Sequence, residues 1–319
     1  MARGSDASAA SSSAAIRVAY LITSYVLPDQ VLRLARRLRA GSAGAAIVLH
    51  HDPRRGRVDA AGLDALGVLR IEPPSPVAWG EGSQLAMVLR CLRWTMRCTD
   101  ADWVVLLSGQ DYPIRPVAAI ERSLAEARVD GFIHARPVPP PTLRSRTVDE
   151  FARRYHYRWR RARPGAARAV RAAARARPLV QVGTTPSGTW LGVPARPSPF
   201  GPDLRCHHGG DWFTLSRWAV EAIERVVCER PDVLKHFLRT LIPTEAFVHT
   251  VLANDPSLEL SGDSRRFTLW DSGASRPRVL TTEDLPRLLG APFDFARKFD
   301  ETVDRAVLDA LDRQVHGGA

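Results

Sequence analysis

Trp103-Val104-Val105-Leu106-Leu107, closed abruptly by Ser108-Gly109-Gln110-Asp111-Tyr112-Pro113, decides the fold. Five consecutive apolar residues running into a polar turn with Gly and Pro read as a buried strand that stops at a loop. Working outward, Ile16–Ile22 (IRVAYLI) is a second such run, ending at Thr23-Ser24-Tyr25. Val31, Leu34, Ala35 and Leu38 then share one helical face. AAIVLHHD (45–52) predicts another strand, with His50, His51 and Asp52 at its end, and GVLRI (67–71) a short one. Between Glu81 and Arg97 the positions Leu85, Val88, Leu89, Leu92 and Met96 have helical spacing, and FIH (132–134) closes this half. Strand alternating with helix is the signature of a doubly wound α/β sheet.

Downstream, residues 136–205 are rich in Pro, Gly and Arg with little continuous periodicity, and read as an insertion or flap with too little apolar content to pack as a core. An Ala/Arg helix within 166–177 is one reading of its middle. Order returns at Asp211-Trp212-Phe213-Thr214-Leu215, followed by an amphipathic helix from Arg217 to about Glu229. A second helix is expected after Pro243 with Thr244 as its N-cap, and Val303, Val307, Leu308 and Leu311 predict a last one.

With 319 residues, 45% of them hydrophobic and 25% charged, the chain can bury a full core and is of enzyme size. No window approaches the roughly 20 consecutive apolar residues of a membrane helix, and the first fifteen residues lack the apolar centre of a secretory signal. They read as a disordered Ser/Ala tail, and the protein is expected to be cytoplasmic, with peripheral membrane contact as an option. Cys91, Cys98, Cys206 and Cys228 show neither C-x-x-C spacing nor disulfide density and read as reduced thiols. Cys206-His207-His208 with Asp211 matches no zinc pattern and reads as the approach to a buried strand. The net charge of +11 is localised: residues 151–177 hold ten arginines and no acid or lysine, leaving 35 basic against 34 acidic groups elsewhere.

In an open α/β sheet, ligands bind beyond the carboxyl ends of the strands. The polar residues there are Thr23 and Ser24, His50 and Asp52, and Ser108 to Asp111. The G-x-G-x-x-G and G-x-x-x-x-G-K-[ST] fingerprints are both absent, which weighs against NAD enzymes and P-loop ATPases. Asp100-Ala101-Asp102 has the letters of a metal-binding D-x-D, but it precedes its strand, where a capping or surface role suits it. Glu245, in Ile242-Pro243-Thr244-Glu245-Ala246-Phe247, is a carboxylate at a helix start, where complementing the helix dipole is worth about 0.3–1 kcal/mol. Phe295-Ala296-Arg297-Lys298-Phe299-Asp300 sets two adjacent cations between aromatics, a substitute for a metal in neutralising a diphosphate leaving group.

Seven ordered segments carry a resemblance: AYLITSYVLPDQVLRLARRL (19–38), IVLHHD (47–52), VAWGEGSQLAMVLRCL (77–92), WVVLLSGQDYPIRP (103–116), GGDWFTLSRWAV (209–220), IPTEAFVHTVLAND (242–255) and FARKFD (295–300). Together they resemble the Core-2/I-branching β-1,6-N-acetylglucosaminyltransferases and the related peptide O-xylosyltransferases, over nearly all of 16–313. The resemblance implies a GT-A-like single large domain carrying a basic insertion: a UDP-binding half over 16–135, the insertion over 136–205 and an acceptor and catalytic half over 206–319. It further implies inverting, metal-independent transfer of GlcNAc or xylose, with UDP-GlcNAc or UDP-xylose as co-substrate and no cofactor. By that comparison Ile22, Thr23, His50 and Asp52 hold the uridine. Trp79, Gly80 and Asp111 line the donor sugar pocket, and Asp211 with Trp212 forms the floor of the site. Glu245 is the base, Arg297 and Lys298 clamp the diphosphate, Arg278 or Arg276 adds a second arginine, and Trp270 stands near the acceptor.

The membrane anchor and paired cysteines of the secretory-pathway animal members are missing from this sequence. A glycan, glycolipid or secondary-metabolite acceptor is therefore as open as a peptide. The arginine segment also raises a rival reading as a nucleic-acid or anionic-membrane binder. Its aromatics are few (Tyr155, Tyr157 and Trp159 among them) and it contains no known nucleic-acid module, so nucleic acid is disfavoured.

Overall fold

The computed structural model describes residues 16–141, 149–163, 180–274 and 276–317, with isolated positions between 163 and 180. The tail expected at 1–15 and most of the helix expected within 166–177 lie outside the described residues. Strands β1 (Val18–Ser24), β2 (Ala46–His51), β3 (Leu69–Arg70) and β4 (Trp103–Ser108) pair in parallel, with β1 between β2 and β4. The short β6 (Gly131–Phe132) lies further along the same sheet, whereas β5 (Asp111–Pro113) belongs to a separate three-stranded sheet.

The helices that cover it are α1 (Pro28–Gly41), α2 (Ala60–Ala65), α3 (Gly82–Cys98) and α4 (Val117–Ala125). Later in the chain come β7 (Arg136–Pro137), β8 (Tyr157–Arg161), β9 (Gln181–Thr185), β10 (Gly188–Pro194), β11 (His207–His208), β12 (Thr214–Ser216), β13 (Leu260–Ser261), β14 (Arg266–Thr268) and β15 (Phe295–Arg297). The main sheet has seven strands in the order β13-β6-β12-β4-β1-β2-β3. Its β12 runs antiparallel to both β4 and β6. This mixed, parallel-rich sheet is the GT-A-like arrangement that the resemblance implied.

Two hydrophobic layers follow from strand alternation. Leu21, Val48, Val104 and Leu106 face one layer with α3, α6 (Arg217–Glu229) and α8 (Phe247–Ala253), an α5 (Glu150–Tyr155) and α7 (Pro231–Phe237) adding to it. Tyr20, Ile22, Ile47, Leu49, Val105 and Leu107 face the other, with α1, α4 and the last helix, Ala306–His316. Burial on both faces explains why β1, β2 and β4 read as unbroken apolar runs.

Two expectations change. The helix after Pro243 does not begin with a Thr244 cap: Pro243–Glu245 is a single 3-10 turn entered through Ile242 at φ 51°, and α8 starts at Phe247. Tertiary backbone pairing accounts for the break, because Ile242 N–H donates to the Gly80 carbonyl and Gly209 N–H to the Glu245 carbonyl, each at 2.8 Å. The second change concerns 136–205, whose described part is not structureless. β8, β10 and β9 form an antiparallel sheet, and Tyr155, Tyr157 and Trp159 are buried. The arginines that obscured this alternate with the aromatics along β8, so the apolar face is narrow but complete.

Asp102 pairs with Arg17 at the entrance to β4 and Asp100 is exposed, the surface role expected of that D-x-D. All four cysteines are free thiols.

Candidate active site

The site lies where the strand ends meet the turn at Glu245. β15 pairs antiparallel with β5 so that Arg297 stands opposite Asp111. Asp111 is fully buried: the Ser108 amide and hydroxyl each donate to it at 2.8 Å, and the Arg297 guanidinium lies 3.1 Å away. Its carboxylate is thus occupied in holding Arg297, which also sits 4.4 Å over the Trp212 ring. Gln30, buried in α1, locks this junction by donating to the carbonyls of Gly109 and Phe299 and accepting from the Glu301 amide. Gln110 adds a further bond to the Phe299 carbonyl.

Next to Arg297 is a pair of carboxylates. Burial raises Asp211 above the usual carboxylate range, with the neighbouring Thr244 hydroxyl and then Arg297 opposing the rise. Burial and the charge of Asp211 together push Glu245 up to about 8, with Arg154 pulling the other way. Two acids sharing one partly dry site cannot both ionise easily, so one holds a proton near neutrality. Arg154, on α5, reaches Glu245 at 3.1 Å and also pairs with Glu150. Asp211 Oδ1, Trp212 Nε1 and Thr244 Oγ1 are buried without a hydrogen-bond partner among the described residues. A cavity of about 30 Å³ beside them is lined by Thr23, Gln84, Asp211, Trp212 and Thr244, among others. It has room for a water molecule, not for a sugar.

The remaining expected residues divide into two groups. Thr23 reaches this cavity, whereas Ile22 is wholly in the core and can offer a ligand only its backbone. His50 and Asp52 are buried at the end of β2; the Ser75 amide donates to His50 Nε2 at 2.9 Å, and Arg54 grips Asp52, holding its carboxyl down at about 2. Gly80, at φ 75°, donates to Gln84 Oε1 at 2.9 Å and carries the bond to Ile242, so the Trp79-Gly80 loop is tied to the turn bearing Glu245. A side chain at Gly80 would be strained by that positive φ.

Lys298 is lowered by burial and by neighbouring Arg297 and Arg276. Of the two alternative arginines, Arg276 is therefore the one within electrostatic reach of the cluster. Arg278 is committed to Asp284, with Asp271 3.9 Å away. Trp79 and Trp270 are both largely exposed, at 46% and 57%, and stand outside the buried cluster.

Sequence reasoning missed Arg154, hidden among ten arginines of a segment read as a flap, and Gln30, whose role depends on three distant backbone atoms. No local signal marks either. Buried Arg266, lowered to about 10 by its burial and donating to the Leu106 carbonyl, was also unforeseen. Among the described residues no group of three or more His, Cys, Asp or Glu side chains is arranged to hold a metal ion.

A sheet of this topology, with a carboxylate pair beside a cation cluster at the strand ends, is the frame of a glycosyltransferase domain. The chain belongs to the Core-2/I-branching enzyme family, whose profile matches residues 46–289. It is 37% identical to xylosyltransferase 2 of Rattus norvegicus over 129 residues, 34% of this chain and 15% of that protein. To xylosyltransferase 1 of the same species it is 27% identical over 262 residues, 75% of this chain and 28% of that protein. The chain therefore spans well under a third of the length of these relatives. A Bacillus anthracis protein described as a glucose-1-phosphate thymidylyltransferase, crystallised with sucrose, overlays 66% of this chain and 75% of its own at 7% identity and a TM-score of 0.31, too remote to carry an argument.

These relatives correct one expectation. They are animal xylosyltransferases, the secretory-pathway branch of the resemblance, and so point away from a cytoplasmic placement. No helix among the described residues is long and apolar enough to cross a membrane.

Proposed function

We propose that this chain transfers a single sugar, GlcNAc or xylose, from its UDP conjugate to an acceptor hydroxyl with inversion at the anomeric carbon. Glu245 takes the proton of the attacking hydroxyl. The observation that carries the reading is the pairing of Glu245 with Asp211 beside Arg297 and Lys298: a carboxylate of raised proton affinity adjoins fixed positive charge. A base works best when its pKa lies near the working pH, and such help is worth roughly 10²–10⁴-fold. Arg297, Lys298 and Arg276 would neutralise the departing diphosphate in a site with little water, taking the place of a divalent ion.

Thr23, His50 and Asp52 would receive the nucleotide at the ends of β1 and β2. Trp79, Gly80, Asp211 and Trp212 would line the donor sugar. Trp270, on the rim, would meet the acceptor. The similarity to xylosyltransferases favours UDP-xylose as the donor and a peptide hydroxyl as one acceptor class. Glycans, glycolipids and secondary metabolites share the required alcohol.

The test is turnover of Glu245→Gln beside Asp211→Asn, with UDP binding measured in both. Loss of at least a hundredfold in kcat for Glu245→Gln with UDP affinity kept is expected; near-normal turnover removes Glu245 as base. Activity that vanishes in EDTA and returns with manganese would refute the metal-independent part.

A further inference from the structure

A cleft of about 360 Å³ lies between the start of α3, the turn after α7 and the sheet β8-β10-β9. Glu81, Ser83, Trp159, Trp190, Arg239 and Thr240 line it. Its volume falls within the range of small-molecule sites, about 300–1,000 Å³.

The two indoles are held in place by their own polar atoms. Trp159 Nε1 donates to the Arg154 carbonyl at 3.2 Å and Trp190 Nε1 to Thr185 Oγ1 at 2.9 Å. A Cβ added at Gly183 or Gly192 would come within 2.9 Å of the Trp159 ring, so these glycines form a flat bed behind it. Trp159, 4% exposed, shapes the cleft wall, and the hydrocarbon and π surface left for a ligand is that of the partly open Trp190.

The polar groups of the cleft are of both signs. Glu81 Oε1 is buried without a hydrogen-bond partner among the described residues. Arg239 lines the same space and makes no ion pair among the described residues. Thr240 donates its hydroxyl to the Phe237 carbonyl, leaving oxygen lone pairs as acceptors. An unsatisfied buried acceptor is costly, and a ligand hydroxyl would relieve it.

One carboxylate and one guanidinium lining a cleft with a partly open indole suit a neutral ligand with an apolar face and a rim of hydroxyls. A quaternary ammonium would also stack on indole, but the guanidinium of Arg239 opposes a cation. We propose that this cleft is a saccharide subsite holding a hexopyranose ring, its C–H face on Trp190 and its hydroxyls on Glu81 and Arg239. Assigning the ring to a glycan acceptor rests on the glycosyltransferase reading; the saccharide site does not. The cleft adjoins the catalytic turn, because Thr240 leads into Ile242–Glu245, and the Trp159 indole is bonded to the backbone of Arg154, whose side chain holds Glu245.

The experiment is saturation-transfer NMR of the full chain with methyl glycosides of glucose, galactose and N-acetylglucosamine, and with choline, in wild type, Trp190→Ala, Trp190→Phe and Glu81→Gln. UDP binding is measured alongside by calorimetry. Expected are glycoside signals in wild type, at least tenfold weaker binding in Trp190→Ala and Glu81→Gln, partial rescue in Trp190→Phe, and unchanged UDP affinity. Glu81→Gln keeps size and shape, so it remains informative if Trp190→Ala fails to fold. Absence of glycoside binding, binding that ignores the variants, or binding of choline alone overturns the proposal. Glycosides that bind to a chain that does not take UDP would leave the subsite standing and remove the transferase reading.

Discussion

Replacing Arg154 by Gln should move the pH dependence of transfer upward. In the folded protein Glu245 loses its proton at about 8, raised by burial and by Asp211 and held back by Arg154. Opposite charges about 4 Å apart attract by about 4 kcal/mol at an effective dielectric of about 20. The pair here is partly open, with side chains 21% and 25% exposed, and Glu150 shares the same guanidinium. Solvent and that competition reduce the effective coupling to about 1.4 kcal/mol, which is about one pH unit.

A base must be ionised to act, so kcat/KM should rise with pH through the Glu245 titration. At pH 7 about a tenth of wild-type molecules would carry the carboxylate and about a hundredth of Arg154→Gln molecules. The expected result is a roughly tenfold loss of kcat/KM at pH 7 that shrinks at high pH, with the ascending limb displaced by about one unit. Rate profiles from pH 6 to 10 at saturating UDP-sugar measure this directly. An equal loss at every pH, or a limb displaced downward, would refute the assignment of the limb to Glu245 and the role of Arg154 as its counter-charge.

Asp111→Asn leaves the Arg297 guanidinium without its buried counter-charge and should cost about 3–5 kcal/mol in urea unfolding, with weaker UDP binding by calorimetry. Gly192→Val drives a branched side chain against the Trp159 ring and should destabilise by about 1–3 kcal/mol, whereas Gly44→Ala, which meets nothing within 4 Å, should change the melting temperature little. His236 is lowered to about 4 by burial, with Nε2 donating to the Tyr155 carbonyl at 2.7 Å. The unfolded chain therefore takes up a proton between about pH 6.5 and 4 that the folded chain refuses, and up to about 3 kcal/mol of stability is lost as pH falls through that window. In His236→Gln the slope of stability against pH across this interval should be shallower, measured by urea unfolding at four pH values.

The alternation of strands and helices was legible because burial on both faces of β1, β2 and β4 writes continuous apolar runs, and the packed face of α1 or α6 writes a 3.6-residue period. Both are local consequences of where water is excluded. Some of the motif residues are neighbours in space: Asp211 is within electrostatic reach of both Glu245 and Arg297, and Lys298 of Arg297. Residues 136–205 were hard to read because β8 alternates arginine with its buried aromatics, and average composition conceals a narrow buried stripe.

Sequence alone determined that the chain builds a helix-flanked, mainly parallel sheet, and which charged residues follow its strands. Tertiary structure alone decided that Arg297 lies across from Asp111, that Arg154 holds Glu245, that Arg278 is spent on Asp284, and that two tryptophans share a cleft with Glu81. The reason is physical. Hydrophobic periodicity repeats within a few residues and is readable wherever it occurs. Charge pairing and cavity shape instead depend on strand register and on which side chains meet across long stretches of chain, where Coulomb attraction and steric fit act through space and leave no local pattern.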